Sequence, residues 1–238
     1  MTTIQPYSLD QTLADYGIQT LGELGKQTQT DPITTGIPEL DGELGAKGIP
    51  RQALILLRGM PTAATTTISY HIIAQAQKQG DIVAYVDCCH TFDGQYATKV
   101  CGVLEEKLLH VEPDNAEHGL AVTRDFVSRP YRGLLVVDMG LLEANDGSLA
   151  KTFSKSLRAI QLKLHRSAWT LVLLLPLSQF PFCDPLATLS LSFTWTDWLK
   201  DKNGRRIGYT ARISLHSRTR QLTAETVSLR LYRHGVGS

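Results

Sequence analysis

The segment that decides the fold is residues 53–79, ALILLRGMPTAATTTISYHIIAQAQKQ. Its first six residues form an apolar run of strand length, and residues 66–79 are predicted to form a helix. Between the two lies GMPTAATTT, residues 59–67, at the place where a phosphate-binding loop joins a strand to a helix. The chain therefore begins its core like a nucleotide-binding domain.

The turn departs from a working phosphate loop, which reads GxxxxGKS or GxxxxGKT. Gly59 fills the first glycine position and Thr66 the hydroxyl position, but Ala64 replaces the second glycine and Thr65 the lysine. Alanine lacks the freedom of glycine at positive φ. One interpretation keeps some nucleotide affinity, with contacts from Gly59, from Ala64 and from the threonines 65–67. The other is a plain strand-to-helix turn in which a threonine caps the helix.

Further apolar runs follow at residues 81–87, 133–139 and 170–177, and helices are predicted at 116–129 and 151–166. Apolar strands that alternate with helices indicate a parallel sheet covered on both faces. The tail instead alternates apolar with polar residues around an Asn203–Gly204 turn, which is typical of antiparallel hairpins. The prediction is an α/β fold with a mostly parallel twisted sheet and an antiparallel C-terminal strand extension. Residues 1–32 are predicted to be an N-terminal arm and 33–238 the core domain.

Composition sets the broad class. The chain has 238 residues, 42% of them hydrophobic and 20% charged, which suits one globular domain. It has no apolar run of the roughly 18–20 residues that a membrane span needs, and its N-terminus lacks the pattern of a signal peptide. We therefore expect a cytoplasmic protein with no membrane partner. The four cysteines form no CxxC pair, so buried reduced thiols are expected and no metal site is predicted.

The net charge of +1 conceals an asymmetry. Residues 1–50 hold seven acidic and two basic residues, whereas residues 201–238 hold eight basic and two acidic ones. This polarity suits a nucleic-acid surface, head-to-tail contact between copies, or a solvated strand face without a specific role. The candidate nucleic-acid-binding residues lie on the predicted helix 151–166 and in the basic tail: Lys155, Arg158, Arg205, Arg206, Arg212 and Arg218.

Several stretches occur in one order that resembles the bacterial RecA recombinase core. TTGIPELDGELGAKGIPRQALILLRG resembles its opening, and DIVAYVDCCHTFDGQYATKVCGV resembles its second strand, catalytic-glutamate turn and adenine-side segment. GLLVVDMG resembles the Walker B strand, and the basic tail resembles the closing antiparallel strands. The resemblance covers about residues 33–237. It implies a RecA-like P-loop NTPase core that binds ATP.

Three departures concern catalysis. Cys89 stands at the position of the glutamate that polarises water, and a thiol cannot accept that proton as a carboxylate does. Leu177 stands at the position of the sensing glutamine, and Thr65 at that of the lysine. Both family DNA-binding loops are shortened, the second to FPFCDPLAT. The resemblance therefore implies a core without effective catalysis.

Three other positions keep the family's residue types. Asp138 ends a strand as the Walker B carboxylate does, and Asp93 and Tyr96 stand where the family contacts adenine. Each has a structural alternative. Asp138 would hydrogen-bond the hydroxyl of Thr66 or Thr67, and Asp93 and Tyr96 would be local helix-start residues.

These observations predict a RecA-like accessory protein without effective ATPase activity in DNA recombination or repair. It would need no cofactor, though it would bind ATP or ADP weakly. Its candidate partners are DNA, with single strands favoured, a recombinase, a repair polymerase and further copies of itself. One alternative is a nucleotide-binding ATPase that is active only in an oligomer with contacts from a neighbouring subunit. Another is a protein-interaction module with no DNA affinity.

Overall fold

A computed structural model of the chain describes residues 31–45, 47–142, 147–219, 221–232 and 235–237. The predicted arm, residues 1–32, therefore lies almost wholly outside the described residues. Among the described helices, none combines the length and the apolar character that crossing a bilayer requires.

The described elements alternate between strands and helices as far as the fifth strand. After it come a short 3-10 segment and four further strands. In chain order they are α1 (Pro38–Glu43), β1 (Leu54–Gly59), α2 (Thr65–Lys78), β2 (Ile82–Asp87), α3 (Gly94–Lys99), a 3-10 turn (Glu105–Lys107), β3 (Leu108–Val111), α4 (Ala116–Val127), β4 (Gly133–Asp138), α5 (Gly147–Leu164), β5 (Trp169–Pro176), a 3-10 segment (Pro181–Leu186), β6 (Leu189–Lys200), β7 (Arg206–Ser217), β8 (Thr226–Tyr232) and β9 (Gly235–Gly237).

The strands form one sheet in the order β3-β2-β4-β5-β1-β6-β7-β8-β9. Pairing is parallel from β3 through β6 and antiparallel from β6 to β9. The predicted α/β fold and its antiparallel extension are thus confirmed. Asp87 pairs with Asp138, and Gly59 with Pro176. The ends of four central strands therefore meet at one edge of the sheet, where α/β sheets bind ligands.

The central strands are buried on both sides, because apolar side chains of other elements cover both faces of the sheet. Helices α2 and α3 pack on one face together with the inner residues of β6–β8. Helices α4 and α5 pack on the other face with the 3-10 segment after β5. The predicted apolar stripe of α5, Phe153, Leu157, Ile160 and Leu164, is buried as expected, although the helix begins at Gly147 and ends at Leu164.

Candidate functional site

The turn after β1 keeps a tight curl without a second glycine. Thr62 and Ala64 adopt left-handed conformations, with φ of 69° and 75°. Alanine lacks the freedom of glycine at positive φ, so this conformation of Ala64 costs roughly 1–2 kcal/mol, and the surrounding turn holds it there. Gly59 has a steric reason, since a Cβ on it would lie 2.7 Å from Cγ2 of Thr65.

Helix α2 begins without a side-chain cap. Its first residue is Thr65, and the preceding Ala64 makes no side-chain cap hydrogen bond. The prediction that a threonine caps this helix is therefore wrong. The backbone N–H groups of the first turn, residues 65–67, point toward the turn, where a helix attracts anions. Among the described residues, no side chain caps this end of α2, so its first-turn N–H groups have no side-chain cap acceptor there.

A cleft of about 390 Å³ lies at this edge of the sheet. Its lining comprises Gly59, Met60, Pro61, Thr62, Thr65, Thr66, Thr67, Tyr70, Thr91, Asp93, Tyr96, Asp138, Gly140 and Leu141. Seven of the eight predicted cofactor-binding residues therefore meet at one cleft, and the eighth, Ala64, supplies its bend. Within the described part of the chain, this lining contains two carboxylates and neither lysine nor arginine.

Asp138 is buried at the end of β4, and both of its carboxylate oxygens are occupied. Oδ2 accepts a hydrogen bond from the Tyr85 hydroxyl at 2.7 Å, and Oδ1 accepts one from the Gly140 N–H at 2.8 Å. No hydrogen bond joins it to Thr66 or Thr67 among the described residues, so that part of the prediction is wrong. Burial raises the pKa of Asp138, although its two hydrogen bonds oppose the shift. The sequence did not single out Tyr85, a polar group inside an otherwise apolar strand.

The turn after β2 is organised by Asp87, which is fully buried. Its carboxylate accepts hydrogen bonds from the N–H of Cys89 at 3.3 Å and of Phe92 at 2.8 Å. Asp87 does not line the cleft, because its carboxylate is engaged by these two backbone N–H groups. The Cys89 thiol donates to the Asp138 carbonyl at 3.6 Å, and burial raises its pKa to about 11. It therefore stays protonated at neutral pH and cannot act as a base.

Asp93 caps helix α3. Its carboxylate accepts from the Tyr96 N–H at 2.9 Å, and its own N–H donates to the Tyr70 hydroxyl at 3.0 Å. Burial raises the pKa of Tyr96, and a hydrogen bond with the Thr67 side chain partly opposes that shift. Both residues line the cleft while holding the start of α3. Capping and holding the start of α3 is thus compatible with the predicted contact of Asp93 and Tyr96 with adenine.

The loop after β5 is locked by Arg58, which the sequence reasoning overlooked. This buried guanidinium bonds Asp184 Oδ1 at 2.8 Å and the carbonyls of Pro176, Gln179 and Phe180 at 3.2, 2.6 and 2.8 Å. The signal was a single charge at the end of an apolar strand. The segment FPFCDPLAT thus contains a short 3-10 segment, which the Arg58 side chain holds in place. The N–H of Leu177, just after β5, donates to the Gly59 carbonyl at 3.0 Å.

One group of side chains beside the cleft has ligand types that suit a cation. Ligand atoms of Asp87, His110 and Glu112 lie within 4.8 Å of one another. Asp87 is already engaged by two backbone N–H groups, and acidic groups often gather without an ion. The four cysteines are free thiols; Cys88, Cys101 and Cys183 are buried as expected, whereas Cys89 is half-buried.

All six candidate nucleic-acid-binding residues are exposed. Lys155 and Arg158 lie on α5, whereas Arg206 and Arg212 lie on β7 and Arg205 just before it. Arg218 follows β7, and its side chain bonds the Pro185 carbonyl beside the locked loop. The structure thus distributes these cations over separate elements.

Comparison with known proteins places the chain in a family. The model of the RecA N-terminal domain matches residues 5–177. The RecA protein of Chloroflexus aggregans is 35% identical over 130 residues, covering 55% of this chain and 37% of that protein. RecA of a Roseiflexus species is 32% identical over 160 residues, covering 67% and 45%, and RecA of Methylobacterium radiotolerans is 34% identical over 164 residues, covering 63% and 44%. The chain spans less than half the length of each of these relatives. The match of this domain over more than half of the chain shows that the chain belongs to the RecA family.

Proposed function

We propose that this chain is a RecA-family accessory protein of DNA recombination or repair that has no effective ATPase activity. The observation that carries the proposal is the charge of the cleft. Its described lining offers Asp93 and Asp138 to a triphosphate and no cationic side chain. Like charges disfavour binding of the phosphates, and they do so more strongly in a partly desolvated cleft.

Phosphoryl transfer depends on positioning and on neutralising the charge that develops on the phosphoryl oxygens. Removing one preorganised group of this kind costs about 100- to 1000-fold in rate. Here Thr65, Cys89 and Leu177 stand at three such positions. The Cys89 thiol is protonated at neutral pH and engaged with the Asp138 carbonyl, so the proposal assigns it no catalytic part.

Weak binding of ATP or ADP remains part of the proposal. The uncapped first turn of α2 and the Thr66 hydroxyl still offer hydrogen bonds to an anion. A helix N-terminus contributes only about 0.3–1 kcal/mol to such an interaction. A nucleotide would therefore bind only weakly, and the protein would work without a required cofactor.

The test measures hydrolysis and binding separately. We expect no release of phosphate above background with ATP and magnesium, and at most a small rise in the melting temperature at millimolar ATP or ADP. Hydrolysis whose specific rate rises with protein concentration would contradict the proposal. It would favour an ATPase completed by contacts between subunits.

The proposed partners are DNA, with single strands favoured, and a true recombinase or a repair polymerase, with self-association as a further candidate. Support comes from the family and from the exposed cations on α5 and β7. A cytoplasmic location belongs to the same proposal. Gel-shift titration with single-stranded DNA tests the proposed DNA binding. Low salt is used because phosphate contacts are strongest there. Absence of any shift would favour a protein-interaction module.

A further inference from the structure

The hairpin of β6 and β7 carries a group of exposed aromatic rings that the cleft does not use. Its indoles, Trp195 and Trp198, are 47% and 45% exposed. Their ring centroids lie 5.6 Å apart, and Tyr209 lies 6.3 Å from Trp198 in an edge-on arrangement. The guanidinium of Arg206 lies over the Trp198 ring at 4.6 Å from its centroid. We call these four residues the hairpin aromatic patch.

A break in the strand register places both indoles on one face. Residues three apart in a regular strand point to opposite faces. Here the pairing shifts between Trp195 and Asp197, so that Trp195 pairs with Ala211 and Trp198 with Tyr209. Ala211 and Tyr209 belong to the same face of β7. Such bulges commonly re-aim side chains at functional positions.

The patch is bordered by positive charge. Lys200, Lys202, Arg205 and Arg206 are all exposed at the end of this hairpin. The nearby carboxylate of Asp201 is occupied by the turn, since Oδ1 accepts from the N–H groups of Asn203 and Arg205, each at 2.8 Å. Asp197, between the two tryptophans in the sequence, is exposed, whereas Asp201 is half-buried. The surface therefore combines aromatic faces with a surplus of cations.

We propose that the hairpin aromatic patch is a stacking site for the bases of single-stranded nucleic acid, whose phosphates pair with the cations at the hairpin end. This rests on the DNA-binding part of the proposed function and names the surface that performs it. Stacking platforms beside cations are the usual means of binding single strands without sequence preference. Protein interfaces instead deplete lysine around their aromatic cores, so a nucleic acid fits the patch better than an apolar protein surface.

The fluorescence of the protein reports on this contact directly. The chain has three tryptophans, and the third, Trp169, is buried with 1% of its surface exposed. Titration with a 20-residue oligothymidylate should therefore quench emission from Trp195 and Trp198 and leave that of Trp169. A uridine oligomer of equal length distinguishes RNA from DNA as the favoured strand.

Substitutions separate stacking from charge. Trp198→Ala should weaken binding of a labelled oligothymidylate by about 5- to 100-fold, measured by fluorescence anisotropy. Trp198→Phe should recover most of the affinity, because it restores an aromatic face. Neither change should alter the dependence of binding on salt. Arg205→Ala should lower the slope of log affinity against log salt by about 0.7, since it removes one phosphate contact.

Tyr131→Ala serves as the matched control, because Tyr131 is an aromatic residue that is 54% exposed and lies outside the hairpin. It should bind like the unaltered protein, and all variants should keep its circular dichroism spectrum. Wild-type affinity in Trp195→Ala and Trp198→Ala would overturn the stacking site while leaving DNA binding by other surfaces intact. Loss of self-association in those variants, with DNA binding unchanged, would show a protein interface instead. The ATP hydrolysis assay is independent of each result.

Discussion

The cleft and the end of the β6–β7 hairpin differ in the charge they offer a polyanion. The described lining of the cleft holds two carboxylates and neither lysine nor arginine, whereas the hairpin end presents four exposed cations beside aromatic rings. Both regions belong to the same sheet. One fold therefore carries a cleft whose described lining has no cation and, on a separate surface, a hairpin end rich in cations.

Arg58, at the end of β1, is buried, whereas Arg205, at the hairpin end, is exposed. Replacing the buried arginine should therefore change the free energy of unfolding most. Arg58→Ala should lower the free energy of unfolding by about 3 kcal/mol, the lower end of the range for breaking a buried ion pair, because Asp184 is half exposed. Urea unfolding measures it. Arg205→Ala is the matched control, since an exposed arginine should change stability by less than about 0.5 kcal/mol. Equal effects of the two substitutions would show that Arg58 does not hold the loop after β5.

A lysine placed in the cleft should give it part of the positive charge that the hairpin end has. Thr65→Lys places an ammonium group at the first residue of α2, inside the cleft. A hydrogen bond to a charged group contributes about 1.5–3 kcal/mol, so ATP should bind roughly 10- to 150-fold more tightly in a calorimetric titration. Thr219→Lys, at an exposed position outside the cleft, controls for net charge. Equal affinity in both variants would mean that the cleft is not the nucleotide site.

The smallest expected effect concerns the bend of the turn. Ala64→Gly should raise the free energy of unfolding by about 0.5–1 kcal/mol, because glycine adopts a φ of 75° without the alanine's strain and this gain exceeds its larger unfolded-state entropy. Thermal unfolding measures the change. Ala97→Gly, inside helix α3, should instead destabilise the protein by about 1 kcal/mol. A destabilising Ala64→Gly would contradict a strained turn.

Much of the fold follows from local pattern. The apolar runs became the central strands, and the stripe of α5 is buried at the four predicted positions. The rule that strand ends meet at one edge also brought Gly59, Asp138 and Tyr96 to a common cleft. What the pattern did not predict is how side chains are used there. Asp138 bonds Tyr85 rather than a threonine, because its partner comes from the neighbouring strand, 53 residues away.

The class of fold and the family follow from the sequence, since they depend on the identity and order of residues. The sequence also predicts that Thr65, Cys89 and Leu177 replace catalytic groups. Three features are seen only in the folded structure. Ala64 has a positive φ, Arg58 bonds the loop after β5, and a register shift brings Trp195 and Trp198 to one face of the sheet. The partners of Arg58 lie 118 to 126 residues away in the chain, so their geometry is fixed only when the sheet is assembled. GMPTAATTT joins β1 to α2, where a phosphate loop is predicted, and the described lining of its cleft holds neither lysine nor arginine.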